Sequence, residues 1–425
     1  MTTDGSTTND GGADSPPSLW QVRDYKVWFS GDTFSQLGLF VGVFAFTLLA
    51  FHVTGDPAVA GLIGSVSALA QALSILPGGL LLDRVDRRAL MIGSGAVAFI
   101  VYGALALAAW GGLLDAISLL VFAVVGGIFG GLFANVTDVV LPRIVGKQLL
   151  PDASAANQAR DAAIQLGASP FSGLLFGVHP SLPFMVTAIA RLGEAGAGIA
   201  LRTDLRPGAD GTASSDEADV TAGLRWLRRW APPRVLILIV LGVNFALASC
   251  GTAIVLSQQQ LSTEPWKIGA IQTFQGVGIL LGAIALMRVS RFMTGGTIIR
   301  VSICVVGAAF FGAIFTQDVW LIALLALVAS LPLIPLNAMQ GSYLALLIPD
   351  ALRGRVLSIQ TFLGSIAAAI APGVAGLLLK YGGYVAAIAV PVGLLGIIII
   401  VALFSRSVAG IPRKSDLEGV DPLRL

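Results

Sequence analysis

Apolar runs about the length of a bilayer crossing recur along this 425-residue chain and limit what it can fold into. A membrane-spanning helix needs about 20 consecutive apolar residues. Such runs cover 27–51, 58–82, 89–110, 116–141, 162–178 and 182–201. After a polar stretch they resume over 235–257, 268–287, 297–316, 319–348, 356–379 and 384–404. Barrel strands would be about 10 residues long and alternate in polarity. These runs are twice that and apolar all round, so they read as helices that satisfy their own backbone hydrogen bonds. Only 12% of the residues are charged, against roughly 25% in an ordinary soluble domain. The expected fold class is therefore an all-α membrane protein with 12 transmembrane helices, six on each side of a central linker.

Lysine and arginine set the expected orientation, because basic residues collect in short cytoplasmic loops. If both termini are cytoplasmic, every Lys and Arg except Lys267, Lys380 and the intramembrane Arg191 falls on the cytoplasmic side. Trp28, Trp110, Trp266 and Trp320 fall at run ends, as an interfacial belt would place them. The expected organisation is a disordered cytoplasmic tail (1–24), a first six-helix bundle (25–201), a cytoplasmic linker (202–234), a second bundle (235–405) and a cytoplasmic tail (406–425). The first tail is acidic and lacks the basic and short apolar regions of a cleaved signal. Within the linker, Val220, Leu224 and Leu227 share one helical face and Arg225, Arg228 and Arg229 lie toward the other. That pattern fits an amphipathic helix on the inner leaflet or a plain linker helix. An internal match relates the halves: Pro151-Asp152-Ala153 parallels Pro349-Asp350-Ala351, and Pro170 parallels Pro372, each at the cytoplasmic entry to an odd-numbered run. Two parallel six-helix halves related by duplication follow as the expected architecture.

Between the second and third runs lies a knot of mixed charge, LPGGLLLDRVDRR. Its Gly79, Asp83, Arg84, Arg87 and Arg88 resemble the signature between helices two and three of the major facilitator superfamily, with Asp86 where many members have glycine. Three further stretches, VWFSGDTFSQLG, LPRIVGKQLLPDASAANQ and LIPDALRGRVLS, resemble the branch of the enterobactin exporters and macrolide-efflux proteins. The resemblance implies the major facilitator fold and alternating access. It implies a gating role for the knot, in which Asp83 would accept N–H bonds from the start of helix eleven near Gly354 and the arginines would pair with Asp83, Asp86 or lipid phosphates. A purely topogenic basic loop is the rival reading. The chain departs from the pattern in helix four, which lacks the buried arginine of many proton-linked antiporters, and at Leu39, where many relatives of that branch carry an acid.

A charge in mid-membrane costs about 2.5–3.5 kcal/mol on insertion scales, so it is a functional candidate by default. Asp32, Asp138 and Glu194 are the candidates for proton coupling. Asp32 has Gln36 one turn on and no basic residue within a turn; it either takes up a proton or cation or bridges helices. Glu194 lies three residues after Arg191, so a structural ion pair is its rival reading. Asp138 could instead reach the interface, and Asp161 beside Arg160 reads as structural. Polar side chains expected in a substrate cavity are Gln36, Asn135, Arg191, Asn244, Gln272, Gln275, Asn337 and Gln340. With amides in the second half and acids only in the first, that cavity suits a bulky amphipathic substrate, neutral or cationic, better than an anionic metabolite.

Cys250 and Cys304 lie in apolar runs and read as small buried side chains. No metal-ligand spacing, catalytic constellation or nucleotide-binding motif is present in the sequence, so no cofactor, no metal and no enzymatic activity are expected, and no nucleic acid partner. The expectation is a monomeric, proton-driven exporter in the inner (plasma) membrane, its partners being the lipid bilayer, the small amphipathic substrate and a proton or other cation. A facilitator or importer of a small solute or lipid, and a non-transporting sensor or scaffold, are the alternatives.

Overall fold

The computed structural model describes residues 18–205, 225–227, 230–405 and 408. Among them every regular element is a helix. After a 3-10 turn at Leu19–Gln21 come α1 (Arg23–Thr54), α2 (Pro57–Arg84), α3 (Arg87–Trp110), α4 (Ala116–Leu132), α5 (Val136–Val178), α6 (Leu182–Ala200), α7 (Ala231–Gln260), α8 (Pro265–Phe292), α9 (Gly295–Ala313), α10 (Val319–Ser330), α11 (Leu333–Leu347) and α12 (Asp350–Phe404). Residues 1–17 of the first expected tail, all of the second but residue 408, and most of the linker, including Val220, Leu224, Arg228 and Arg229, lie outside the described residues; residues 18–24, expected in the first tail, form the 3-10 turn and the start of α1.

The few polar residues between apolar runs set the helix ends. Asp56, Asp86, Asp115, Thr294 and Asp318 are N-caps whose side chains accept N–H bonds from the first turn that follows, which satisfies donors no helix can satisfy internally. Asp86, the residue that departs from the family signature, accepts from Arg88 N–H at 2.9 Å. Its place in the knot is thus explained by the start of α3.

Nine helical stretches among the described residues are long and apolar enough to cross a membrane. Their boundaries differ from the runs read in the sequence. Residues 142–161, expected as a loop, are helical. α5 holds two helices that meet at Gly146, whose φ of 69° suits a residue without a β-carbon. α12 likewise holds two helices that turn at Gly383, φ 71°. Conversely, the runs 116–141 and 319–348 are each interrupted, at Phe133–Asn135 and at Leu331–Pro332; Pro332 has no N–H to continue the ladder. Counting the arms of α5 and α12 separately, and joining α4 to the first arm of α5 and α10 to α11, accommodates twelve crossings.

Helices α1 to α6 pack chiefly among themselves, as do α7 to α12. The main links between the two sets are α2 with α12 and α5 with α8. Large apolar side chains such as Leu107, Leu113, Phe315 and Phe404 face outward, as a bilayer-facing surface requires. Trp28 departs from the expected interfacial belt. It is fully buried and stacks on Tyr25 at 6.1 Å within a core shared by α1, α2, α3, α5 and α6. Leu227 is buried against the helical core rather than turned toward lipid.

The two sets meet closely at the end remote from Arg23. Gly61 approaches the carbonyl of Pro372, Gly376 that of Pro57, Gly173 that of Pro265 and Gly269 that of Ser169; none has room for a β-carbon. Gly373 N donates to Ser65 Oγ at 2.7 Å, and Gln259 Nε2 donates to the Leu48 carbonyl at 2.9 Å. Lys380 of α12 pairs with Asp56 at the start of α2. The Lys380 ammonium beside Asp56 holds its carboxyl below the usual carboxylate range. The pairing therefore contributes at neutral pH and is lost as pH falls through that lowered value. The pair is partly exposed, so its contribution is modest.

Gly376→Ala should force α2 and α12 apart and cost about 1–3 kcal/mol, read as a lower thermal midpoint in detergent. Gly79→Ala, at a position with open space around it, should leave the midpoint unchanged. Equal effects of the two substitutions would contradict this packing.

Candidate functional site

Four residues of α1, Tyr25, Trp28, Asp32 and Ser35, follow at spacings of three and four, so they share one face of the helix. That face meets the second arm of α5, which the turn at Gly146 brings back along α1. From this arm Arg160 reaches Asp32, with Nη2 2.6 Å from Oδ2. Both side chains are buried, 7% and 3% exposed. The same guanidinium holds the neighbouring Asp161, whose Oδ1 lies 2.8 Å from Nη2 and 2.9 Å from Nε. It also lies against aromatic faces, 5.1 Å from the Phe29 ring centre and 5.9 Å from that of Trp28, an arrangement that favours a cation. One arginine is thus shared between two acids, one enclosed and one 42% exposed. Asp138, in the first turn of α5, is exposed and within electrostatic reach of both Arg160 and Asp161.

One turn further along α1 is a second acid–base group, built from α1, α3 and α6. Glu194, 3% exposed, lies 3.2 Å from Arg191 Nη1. It accepts from Ser35 Oγ at 2.7 Å and from Ser94 Oγ of α3. Arg191 Nη1 also donates to Ser35 Oγ at 2.5 Å. Ser35 therefore bridges the arginine and the acid. The close approach of α1 to α6 rests on Gly31 and Gly38, which meet Ala197 and Ala190 respectively.

The sequence missed Arg160. Beside Asp161 and near an expected interface, it read as half of a local pair. The signal available was the polar face of Tyr25, Trp28, Asp32 and Ser35, which needs a polar partner helix.

Two adjoining cavities account for part of the expected substrate wall. One, of about 500 Å³, is lined by Phe44, Thr47, Asn244, Thr252, Gln272, Gln275 and Ser330, among others. The other, of about 240 Å³, is lined by Leu39, Thr47, Gln71, Tyr102 and Thr252, among others. Thr47 and Thr252 border both, and neither lining includes a charged side chain. Gln272 accepts from Ser169 Oγ at 3.1 Å, a bond between α5 and α8.

The remaining expected cavity residues lie elsewhere. Gln340 is buried and donates to the Leu236 carbonyl at 3.1 Å, a bond that holds α11 to α7. Asn337 is exposed, off both linings. Asn135 is exposed at the turn before α5 and makes no capping bond. Gln36 is half-buried and Arg191 belongs to the Glu194 group. In the knot, Gly79 has open space around it; its neighbour Gly78 makes the close approach, to the carbonyl of Leu132. Arg84 is exposed, Arg87 opens α3, and Arg88 donates to the Thr203 carbonyl at 3.0 Å, tying α3 to the segment after α6. The backbone at Asp83 and Gly354 is helical, and the Asp83 side chain, on which the expected latch depends, is not among those described.

A family model described as the Major Facilitator Superfamily matches residues 29–312. No curated protein matches the sequence. Among solved structures, a bacterial homologue of the iron transporter ferroportin in an inward-facing state superposes with a TM-score of 0.72 at 16% identity, covering 91% of this chain and 99% of that one. The nucleoside transporter NupG, as a D323A mutant, gives 0.71 at 10% identity, with 89% and 100% covered. A bacterial homologue of the lysosomal transporter Spinster, inward-facing and unoccupied, gives 0.70 at 14% identity, with 92% and 98% covered. Identities this low speak to the fold alone.

Removing one partner of a buried ion pair strands the other charge at a cost of about 3–5 kcal/mol, whereas replacing both by apolar groups is far milder. Arg160→Met should therefore lower the thermal midpoint more than the double variant Asp32→Leu with Arg160→Met. A double variant that loses as much as the single one would show that the charges are not paired in the folded protein.

Proposed function

The chain belongs to the Major Facilitator Superfamily, and on that premise we propose that it exports amphipathic drugs or natural products, neutral or cationic, by proton-coupled alternating access. The observation that carries the reading is a separation of chemistry. The buried acid–base groups, Asp32 with Arg160 and Glu194 with Arg191, lie together on α1, α5 and α6. The cavities beyond them are walled by apolar side chains, amides and hydroxyls. An uncharged lining favours a substrate recognised by shape and a few hydrogen bonds. A buried acid that shares its arginine with a second acid suits proton uptake. Protonation of Asp32 neutralises one partner of the pair, and Asp161 retains the guanidinium.

In this reading residues 25–201 and 235–405 are the two rocking halves of a monomer in the plasma membrane, with both termini cytoplasmic. The contacts among Gly61, Pro372, Gly376 and Pro57, with Asp56 to Lys380, then close the outer end. Loss of the Asp32 charge on protonation would loosen α1 from α5 within the first half.

In proteoliposomes, an outward-directed substrate flux driven by a pH gradient and abolished by a proton-collapsing ionophore is the expected result. Asp32→Asn should lose the gradient-driven component and keep exchange at equal pH. Gradient-driven transport by Asp32→Asn at the wild-type rate and pH dependence would contradict the coupling role. Gln275→Leu removes one cavity hydrogen bond, commonly about 0.5–1.5 kcal/mol, so affinity for a transported amphipath should fall about 2- to 12-fold. Unchanged affinity would place the substrate elsewhere.

A further inference from the structure

The face of α1 that carries Tyr25, Trp28, Asp32 and Ser35 continues at the same spacing to Leu39 and Gly42, which line the smaller cavity. One stripe of one helix thus runs from the cytoplasmic end of the bundle to the cavity wall. Along its first half, side-chain atoms are buried without a hydrogen-bond partner among the described residues: Tyr25 Oη, Trp28 Nε1 and Asp32 Oδ1 on α1, and Asn157 Oδ1 and Arg160 Nη1 on the facing arm of α5. Asn157 and Arg160 are one turn apart, so both helices present these atoms to the same seam. Tyr25 and Trp28 are fully buried and Asp32 is 3% exposed. Buried polar groups nearly always find partners, and where protein supplies none, bound water does. Both donors (Oη–H, Nε1–H, Nη1–H) and acceptors (Oδ1 of Asp32 and Asn157) are present, which is the mixture a chain of waters needs.

Past Asp32 further polar protein groups follow. Ser35, one turn on, donates to Glu194 and accepts from Arg191. Arg191 is within electrostatic reach of Tyr102, whose side chain lines the smaller cavity. The groups that act directly on Asp32 are Arg160 and Thr137 of α5 and Glu194 of α6; Asp161, Asp138 and Tyr25 act through Arg160, and Arg191 through Glu194.

We propose that the seam between α1 and α5 is a water-wired proton route. It joins the cavity wall at Tyr102 to the cytoplasmic end at Tyr25, by way of Glu194, Ser35 and Asp32. Asp32 and Glu194 are its two carboxylate stations, and Tyr25, Trp28, Asn157 and Ser35 position the carriers. A proton arriving from the cavity side binds Glu194 and leaves one neutral acid. Its onward passage to Asp32 restores the Glu194–Arg191 pair, and its release to the cytoplasmic water restores the Asp32–Arg160 pair, so each transfer conserves charge and consumes no other reagent. This inference rests on the proton-coupled reading above.

The test uses the full chain in proteoliposomes loaded with a pH-sensitive dye and a lipophilic cationic dye that it transports. Proton flux is divided by substrate exchange measured at equal pH. Tyr25→Phe keeps the ring and nearly all the volume, Trp28→Phe keeps an aromatic ring while removing the Nε1 donor, and Ser35→Ala leaves the direct Arg191–Glu194 pair. Each should lower the ratio about tenfold, equivalent to 1.4 kcal/mol on the proton step, and Ser35→Thr should recover it by restoring a hydroxyl. Wild-type ratios in all three variants, with the ratio still lost in Asp32→Asn, would overturn the route and leave coupling at Asp32 standing. A wild-type ratio in Asp32→Asn as well would overturn both. A Ser35→Thr protein that exchanges substrate but fails to recover the ratio would also overturn the route.

Discussion

A guanidinium enclosed among Trp28, Phe29, Asp32 and Asp161 is the constraint on which the rest of the first helical set depends. Taking ions out of water costs several kcal/mol each after relaxation, and Arg160 recovers this only through close contact with its acids. That contact requires the second arm of α5 to lie along α1, which in turn requires the reversal at Gly146. It also requires the Asp32 face of α1 to stay enclosed. Ala197 and Ala190 of α6 pack against Gly31 and Gly38 on α1 and keep α6 close beside that enclosure. Apolar groups in place of a buried ion pair are often no less stable, so stability alone does not account for these ions.

The arrangement divides labour. Ionisable groups collect between α1, α5 and α6, while the cavity bounded by α1, α7, α8 and α12 is uncharged. In the proposed cycle a substrate seated there meets amides and hydroxyls and is not held by a fixed charge, so binding and proton uptake need not compete for one carboxylate. Helix α1 belongs to both regions: it carries Asp32 and Ser35 and, further on, the cavity residues Phe44 and Thr47.

Much of the fold was legible because the bilayer imposes length and polarity on each run. What escaped was whatever depends on how one run returns against another. Asp32 stood out as a costly charge, yet its partner lay 128 positions away beside a nearer acid. Trp28 occupied a run end, where tryptophan commonly marks the interface, but the turn before α1 and the start of α5 enclose it. Gly79 carried the family signature while Gly78, one position earlier, makes the helix contact. Gln340 carried the same amide as Gln275, and only the third dimension shows that one ties α11 to α7 and the other faces a cavity. Asp86 shows the reverse case: an unexpected acid whose role, capping α3, was available in its position before a helix.

The most direct test of the central claim is an infrared difference titration of the reconstituted protein across its working pH range, following the carbonyl stretch of protonated carboxylic acids. If Asp32 exchanges its proton during the cycle, a pH-dependent band must be present in the wild type, shift on addition of substrate and vanish in Asp32→Asn. A spectrum in which Asp32→Asn retains every titrating band of the wild type would show that Asp32 stays in one protonation state and that the pair with Arg160 is structural.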